Sequence, residues 1–202
     1  MERVDRLEIA RRDGFLFWPD LFDRSTVEAL RARVVPLCDR FRGRRGLPHD
    51  DPDFVQLQCE VTVLEEFDRL RRHPPLLDFL AALLEGPVLT HQGDVCRIFF
   101  PNAPEFATPA HQDEFFLRRG TECWSVWTPL GDCPLELGPL ALAPGSHRWG
   151  LLDQVPDNLA WWSSPLQCGD ALLIHHLTIH RALPNVGSGP RMSIDCRYRR
   201  GC

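Results

Sequence analysis

From Val88 onward the chain breaks into short apolar runs, and this punctuation constrains the fold more than any other feature. The runs cover residues 95–100, 124–127, 140–142, 171–174 and 192–194, with turns rich in Pro, Gly and Asp between them. Runs this short, bounded this way, are strands, and several in succession pack as a sandwich or barrel. The first 87 residues read differently. Residues 4–12 carry Val4, Leu7 and Ile9-Ala10 at helical spacing, and Gly14 stops the helix. Phe15-Leu16-Phe17-Trp18 follows as a buried strand. Ser25-Thr26-Val27-Glu28 has the form of a capping box with Ser25 at the N-cap. It opens a helix that Pro36 is expected to kink or shorten. Residues 40–53 form a basic, Gly- and Pro-containing loop, and residues 76–84 a second apolar helix. The expectation is one domain over 1–202, mainly β with a helical N-terminal part. Residues 1–87 serve as support and residues 88–202 as the β core.

Composition removes several classes of function. All 23 basic residues are Arg, so lysine Schiff-base chemistry and a Walker-type phosphate loop are excluded. The net charge of −5 offers no overall attraction to nucleic acid or acidic membranes. No apolar run approaches the roughly 18 residues of a membrane span, and the charged start Met1-Glu2-Arg3-Val4-Asp5 lacks a signal peptide's apolar stretch. The eight cysteines include no C-x-x-C pair and are read as reduced thiols of a cytoplasmic protein. The state expected is monomer or homodimer.

The chemistry-bearing residues lie in the β half. His111 and Asp113 are separated by one residue, and His180 follows 67 positions after the Asp. On an extended strand, residues i and i+2 share a face, so His111 and Asp113 can converge on one ion while Gln112 points away. His180, placed between an apolar strand and the turn Ala182-Leu183-Pro184-Asn185, can complete a 2-His-1-carboxylate set of the kind that holds non-heme Fe(II). His175 and His176 are rivals for the third position, and His49 and His73 are expected on the surface. Arg191 offers a planar fork for a carboxylate, and Ser193, two residues on, shares its strand face. The alternative for Arg191 is a surface ion pair.

Three stretches together resemble the phytanoyl-CoA dioxygenase-like branch of the Fe(II)/2-oxoglutarate-dependent oxygenases. They are Pro109-Ala110-His111-Gln112-Asp113, then Gly138-Pro139-Leu140…Pro144-Gly145-Ser146-His147, and Gly169-Asp170…His180…Pro184-Asn185…Arg191-Met192-Ser193. The resemblance implies a double-stranded β-helix (jelly-roll, cupin-like) core. It implies iron held by His111, Asp113 and His180, and 2-oxoglutarate held by Arg191 and Ser193. It further implies a reaction with O2 that oxidises, most simply hydroxylates, an aliphatic C–H of a small molecule, with release of succinate and CO2. Related halogenases replace the carboxylate ligand with a small residue, so Asp113 implies oxygenation. The chain departs from the family at Ala110, where a Trp is common, and in stopping just past the Arg191 strand.

Substrate contacts are read from position alone: Gln92, Arg97, Phe99, Phe115 and Trp124, with Trp127 as core or contact. Arg97 sits in an apolar strand, so it either faces a pocket or packs its stem along an edge. The basic loop is either solvated or a contact for a phosphate-bearing substrate. Two other functions stay open: a cupin-like metal- or ligand-binding module without turnover, which would not need Arg191 and Ser193, and an oxygenase acting on protein or RNA.

Overall fold

The computed structural model describes residues 2–41, 43–90, 93–117 and 121–201, with the Leu117 side chain left aside. Helix α1 (Arg3–Asp13) is closed at its start by Asp5, whose carboxylate accepts the Glu2 N–H at 3.3 Å. It ends at Gly14, which adopts φ +76°, and a Cβ there would lie 2.2 Å from Nδ1 of His147. Only glycine satisfies both the left-handed backbone and that close approach.

Strand β1 (Phe15–Trp18) follows as expected, then α2 (Arg24–Asp39). Its N-cap is Asp23, not Ser25, and it runs through Pro36. Proline removes one backbone donor late in a helix whose face, Val27, Leu30 and Val34, is already buried, so packing outweighs the lost bond. Two helices not anticipated from sequence come next, α3 (Pro52–Val61) and α4 (Glu65–Arg71), before α5 (Pro74–Leu83). The α3 start is capped by Asp51, whose side chain accepts the Asp53 N–H at 2.9 Å, with Pro52 in the first turn.

Strands β2 (Val88–Thr90), β3 (Val95–Phe99), β4 (Cys123–Pro129), β6 (Ala171–His175) and β8 (Arg191–Arg200) join β1 in one antiparallel sheet. The order is β1-β6-β4-β8, and β8 is long enough to pair β3 along one stretch and β2 along another. A smaller sheet pairs β5 (Leu140–Leu142) with β7 (His180–Ala182), and a bridge between His111 and His180 extends it. Two antiparallel sheets facing each other in this way form the jelly roll expected.

The large sheet is covered on both faces. Leu16, Trp18, Trp124, Val126, Leu173, Ile194 and Tyr198 pack with Leu57, Leu70, Leu76 and Leu80 of the helices. Each such leucine, fully buried, contributes roughly 1.5–3 kcal/mol. On the opposite face Phe15, Trp127, Leu172 and Ile174 meet Leu140, Leu142 and Ala182 of the small sheet. The described arginines of the basic loop are paired: Arg40 with Glu60 at 2.8 Å, Arg44 with Asp51 and Asp53, and Arg45 with Glu105 at 2.7 Å. Among the described residues no helix is long and apolar enough to cross a membrane, and none of the seven described cysteines is in a disulfide.

Candidate active site

A cavity open to solvent lies between the two sheets. His111, Asp113 and His180 line its mouth, with one ligand atom of each lying within 4.8 Å of the others. His111 stands in the bridge to His180, its N–H and carbonyl exchanging 3.0 Å hydrogen bonds with those of His180. Asp113 lies not on a strand but in the turn that starts the one-turn helix α6 (Glu114–Leu117). The residues still converge, with the His111 bridge to His180 setting one side of the cluster and the turn into α6 bringing Asp113 to it. Gln112 does point away, its amide donating to the carbonyls of Gly150 and Leu177 at 2.8 and 2.7 Å.

Local hydrogen bonds prepare these three side chains for a cation. Nδ1 of His111 donates to the Pro109 carbonyl at 2.8 Å, and Nδ1 of His180 to the Thr178 carbonyl at 2.9 Å. Each ring therefore keeps its proton on Nδ1 and presents a lone pair at Nε2. Those Nε2 atoms stand 3.6 and 3.9 Å from Oδ1 of Asp113. The other carboxylate oxygen, Oδ2, accepts the Ser125 hydroxyl at 2.6 Å. Burial alone would raise the Asp113 carboxyl, but His111, His180, Arg197 and Ser125 together hold it well below the usual range. Burial and the neighbouring His111 push His180 down to about 4. Near neutral pH Asp113 is thus a carboxylate and His180 a neutral imidazole, the states that ligate metal.

His175 and His176 stand elsewhere. Nδ1 of His176 is 3.0 Å from Oε2 of buried Glu114, and His175 packs edge-on to Trp124 and accepts the Leu177 N–H. His49 is at the surface as expected, whereas His73 is half-buried against Phe22.

Arg191 lies deep in the cavity, 2% exposed, and donates through Nη1 to the carbonyl of Gly138. Gly138 has φ +72°, and a Cβ there would meet the Leu183 carbonyl at 2.2 Å, so this anchor point requires glycine. The guanidinium also lies over Phe99, 4.1 Å from the ring centroid, and 5.4 Å from that of Trp127. Burial lowers its pKa to about 10, which leaves it cationic. Nε and Nη2 of Arg191, Oγ of Ser193 and Nε1 of Trp127 are buried with no hydrogen-bond partner among the described residues. Buried orphan donors are costly. Donors gathered around a guanidinium suit a carboxylate, and the His-Asp-His donor set suits Fe(II), so the residues present fit both iron and 2-oxoglutarate.

The residues singled out for substrate divide. Arg97 and Phe99 face the cavity. Arg97 is not stranded there, because Nε lies 3.4 Å from the Asp195 carboxylate. Trp124 faces the helices instead, with its indole N–H on Glu122 at 2.9 Å. Trp127, three positions on, takes the cavity face. Period-two alternation forbids both from facing it. Phe115 is 52% exposed outside the cavity, and Gln92 lies outside the described residues. Sequence reasoning overlooked Ser125, Asp195 and Arg197, all lining the cavity. The signal was available: 191, 193, 195 and 197 share one face of β8 by the same alternation.

Comparison with known proteins comes from two directions. The profile of the family described as phytanoyl-CoA dioxygenase matches residues 10–193. A 1-deoxypentalenic acid 11-beta-hydroxylase of Streptomyces arenae is 30% identical, covering 92% of this chain and 77% of that protein. Its counterpart in Streptomyces exfoliatus is 26% identical with the same coverage. Among solved structures, the non-heme monooxygenase ThoJ superimposes with a TM-score of 0.79 at 22% identity, over 97% of this chain and 77% of that one. The epimerase SnoN, in complex with Fe3+, alpha ketoglutarate and nogalamycin RO, gives 0.74 at 21% identity over 98% and 83%. At these identities the structural likeness establishes the fold.

Proposed function

The chain belongs to the phytanoyl-CoA dioxygenase family, and from that premise we propose how its own residues divide the work of an iron- and 2-oxoglutarate-dependent oxygenase. His111, Asp113 and His180 hold Fe(II) on one face. Arg191 and Ser193 bind the far carboxylate of 2-oxoglutarate, with the Trp127 N–H beside them. The observation that carries this reading is the pairing of a three-residue ligand cluster with the orphan donors of Arg191 and Trp127 in one cavity, with Ser193 buried next along the same face of β8. A binding module without turnover has no use for the second half of that pairing.

The bound iron, with 2-oxoglutarate as electron source, supplies the power to activate O2 and oxidise an unactivated C–H bond. What the protein adds is placement. Ser125 engages Oδ2 of Asp113 so that Oδ1 turns toward the histidine Nε2 atoms. The Nδ1 bonds fix both imidazole rings. Phe99, Trp127, Leu140 and Ile174 wall the inner cavity and exclude water from the cosubstrate. The outcome we assign is hydroxylation of an aliphatic C–H of a small molecule of specialised metabolism, in line with the two hydroxylases to which it is similar. The whole chain is read as one catalytic domain, residues 1–87 supporting and 88–202 carrying the site. It is placed in the cytoplasm with reduced thiols, as a monomer or homodimer.

The test is conversion of 2-oxoglutarate to succinate by the Fe(II)-loaded protein in air, with and without a panel of candidate substrates. Succinate should form, rise with a true substrate, and disappear in Asp113→Ala. Undiminished succinate from that variant would refute the ligand assignment.

A further inference from the structure

Asp113 is the ligand with the least support from the sheets. His111 and His180 are bridged and exchange backbone hydrogen bonds, whereas Asp113 lies in the turn before α6, outside any strand. What fixes that turn lies on the side away from the metal. The Gln112 side chain, 3% exposed, donates to the carbonyls of Leu177 and Gly150 at 2.7 and 2.8 Å, and its own amide oxygen accepts the Leu152 N–H at 2.8 Å. On the other side of Asp113, the Glu114 N–H donates to the His176 carbonyl at 3.1 Å, and the Glu114 carboxylate meets Nδ1 of His176 at 3.0 Å.

These contacts converge on one short segment. The carbonyls of His176, Leu177 and Thr178, three in a row, accept the Glu114 N–H, the Gln112 amide and Nδ1 of His180. The segment is itself tied down. The N–H groups of His176 and Ile179 donate to the Cys123 carbonyl and to Oγ of Ser146, and those of Leu177 and Thr178 donate to Nδ1 and the carbonyl of His175. His175, a rival for the metal in the sequence, is thus a brace. The carboxylate ligand and the distal imidazole are both referred to the same rigid stretch of backbone. Ligands held to a common frame keep their spacing when no ion is bound, which favours metal uptake.

The geometry points to Gln112 as a positioning residue of the metal centre: its amide locks the Asp113 turn to the 176–178 segment that also orients His180. This rests on the assignment of His111, Asp113 and His180 as the iron site. Gln112 points away from the ion, so its influence passes through the backbone of Asp113. The two donors and one acceptor it supplies all meet backbone groups, and an apolar side chain of the same length would leave those three groups unpaired.

The experiment is a titration of metal-free protein with Co(II), followed by its visible absorption, on the wild type, Gln112→Met, Gln112→Asn and Leu80→Ala, with thermal midpoints measured without metal. Leu80→Ala is the comparator, because it loosens the protein from the helix side, away from the site. Gln112→Met should bind Co(II) about tenfold more weakly than the wild type, with shifted absorption bands, and by more than any loss in Leu80→Ala. Gln112→Asn keeps the amide on a chain one carbon shorter and should recover part of the affinity. At saturating Fe(II) the KM for 2-oxoglutarate should not change, since Arg191 lies deeper in the cavity. Wild-type affinity and bands in Gln112→Met, or a loss no greater than that of Leu80→Ala, would overturn the proposal. If Gln112→Met does not fold, Gln112→Asn decides alone: weaker binding with shifted bands supports the role, and wild-type behaviour refutes it. A wild-type protein that takes up no Co(II) would refute the iron-site assignment instead.

Discussion

The two faces of the large sheet are made by the same strands and have opposite characters. On β8, Met192, Ile194, Cys196 and Tyr198 point to the helices and are buried among apolar neighbours. The residues between them, Arg191, Ser193, Asp195 and Arg197, point to the other side, and three of these line the cavity. Strand β3 repeats the pattern with Cys96 and Ile98 against Arg97 and Phe99, and β4 with Trp124 and Val126 against Ser125 and Trp127. The helix side supplies stability through apolar burial. The cavity side gives up part of that stability to keep buried charges and orphan donors ready for ligands. The division teaches that the buried polar groups of the inner face are gathered in one cavity beside an apolar cluster, while the helices cover the outer face with apolar side chains.

The comparison breaks if substitutions on the two faces have the same consequences. The largest effect belongs to the cavity mouth: His111→Ala or Asp113→Ala should reduce turnover and metal uptake to background, while the thermal midpoint measured without metal stays within a few degrees of wild type. Next comes the helix face. Leu80→Ala should destabilise by about 3 kcal/mol, or roughly 6–12 °C in thermal midpoint, with the KM for 2-oxoglutarate unchanged in the protein that remains folded. Arg191→Ala should raise the KM for 2-oxoglutarate by about ten- to a hundredfold, the worth of a charge-assisted contact. Removing a buried cation with orphan donors should not lower its melting temperature, and a clear fall would mean that Arg191 holds the fold instead of a ligand. The smallest change is Ser125→Ala, expected to weaken Co(II) affinity by about tenfold by freeing Oδ2 of Asp113, with circular dichroism unaltered and Ser125→Thr restoring part of the loss.

Much of this was legible in residue order. The strands near 95–100, 124–127, 140–142, 171–174 and 192–194 follow from short apolar runs between turn residues, and the pair His111 and Asp113 from i, i+2 spacing, with His180 set above His175 and His176 by the family resemblance. What escaped has physical causes. Helix α4 lies where charged residues outnumber the buried Phe67 and Leu70, whereas Asp51-Pro52-Asp53 ahead of Phe54, Leu57 and Val61 marked the start of α3. Strands β2 and β7 have three residues each, too few to show alternation. Trp124 and Trp127 both look like cavity residues in the sequence, yet two residues three apart on a strand oppose one another, and Trp124 takes the helix side. Arg197 went unnoticed because it sits among Arg199 and Arg200 in a tail that reads as surface. Only the pairing of β8 with β4, which sets Arg197 opposite Ser125, reveals that it lies beside Asp113.

The central claim is that one cavity holds iron at its mouth and 2-oxoglutarate at its base. An anaerobic titration tests it most directly: Fe(II), then 2-oxoglutarate, added to the purified protein while the weak visible charge-transfer absorption of the iron–2-oxoglutarate chelate is followed. The account predicts a saturating band at one equivalent of metal, absent in Asp113→Ala and requiring far more 2-oxoglutarate in Arg191→Ala. A folded, metal-loaded protein that gives no band, or a band indifferent to both substitutions, would contradict it.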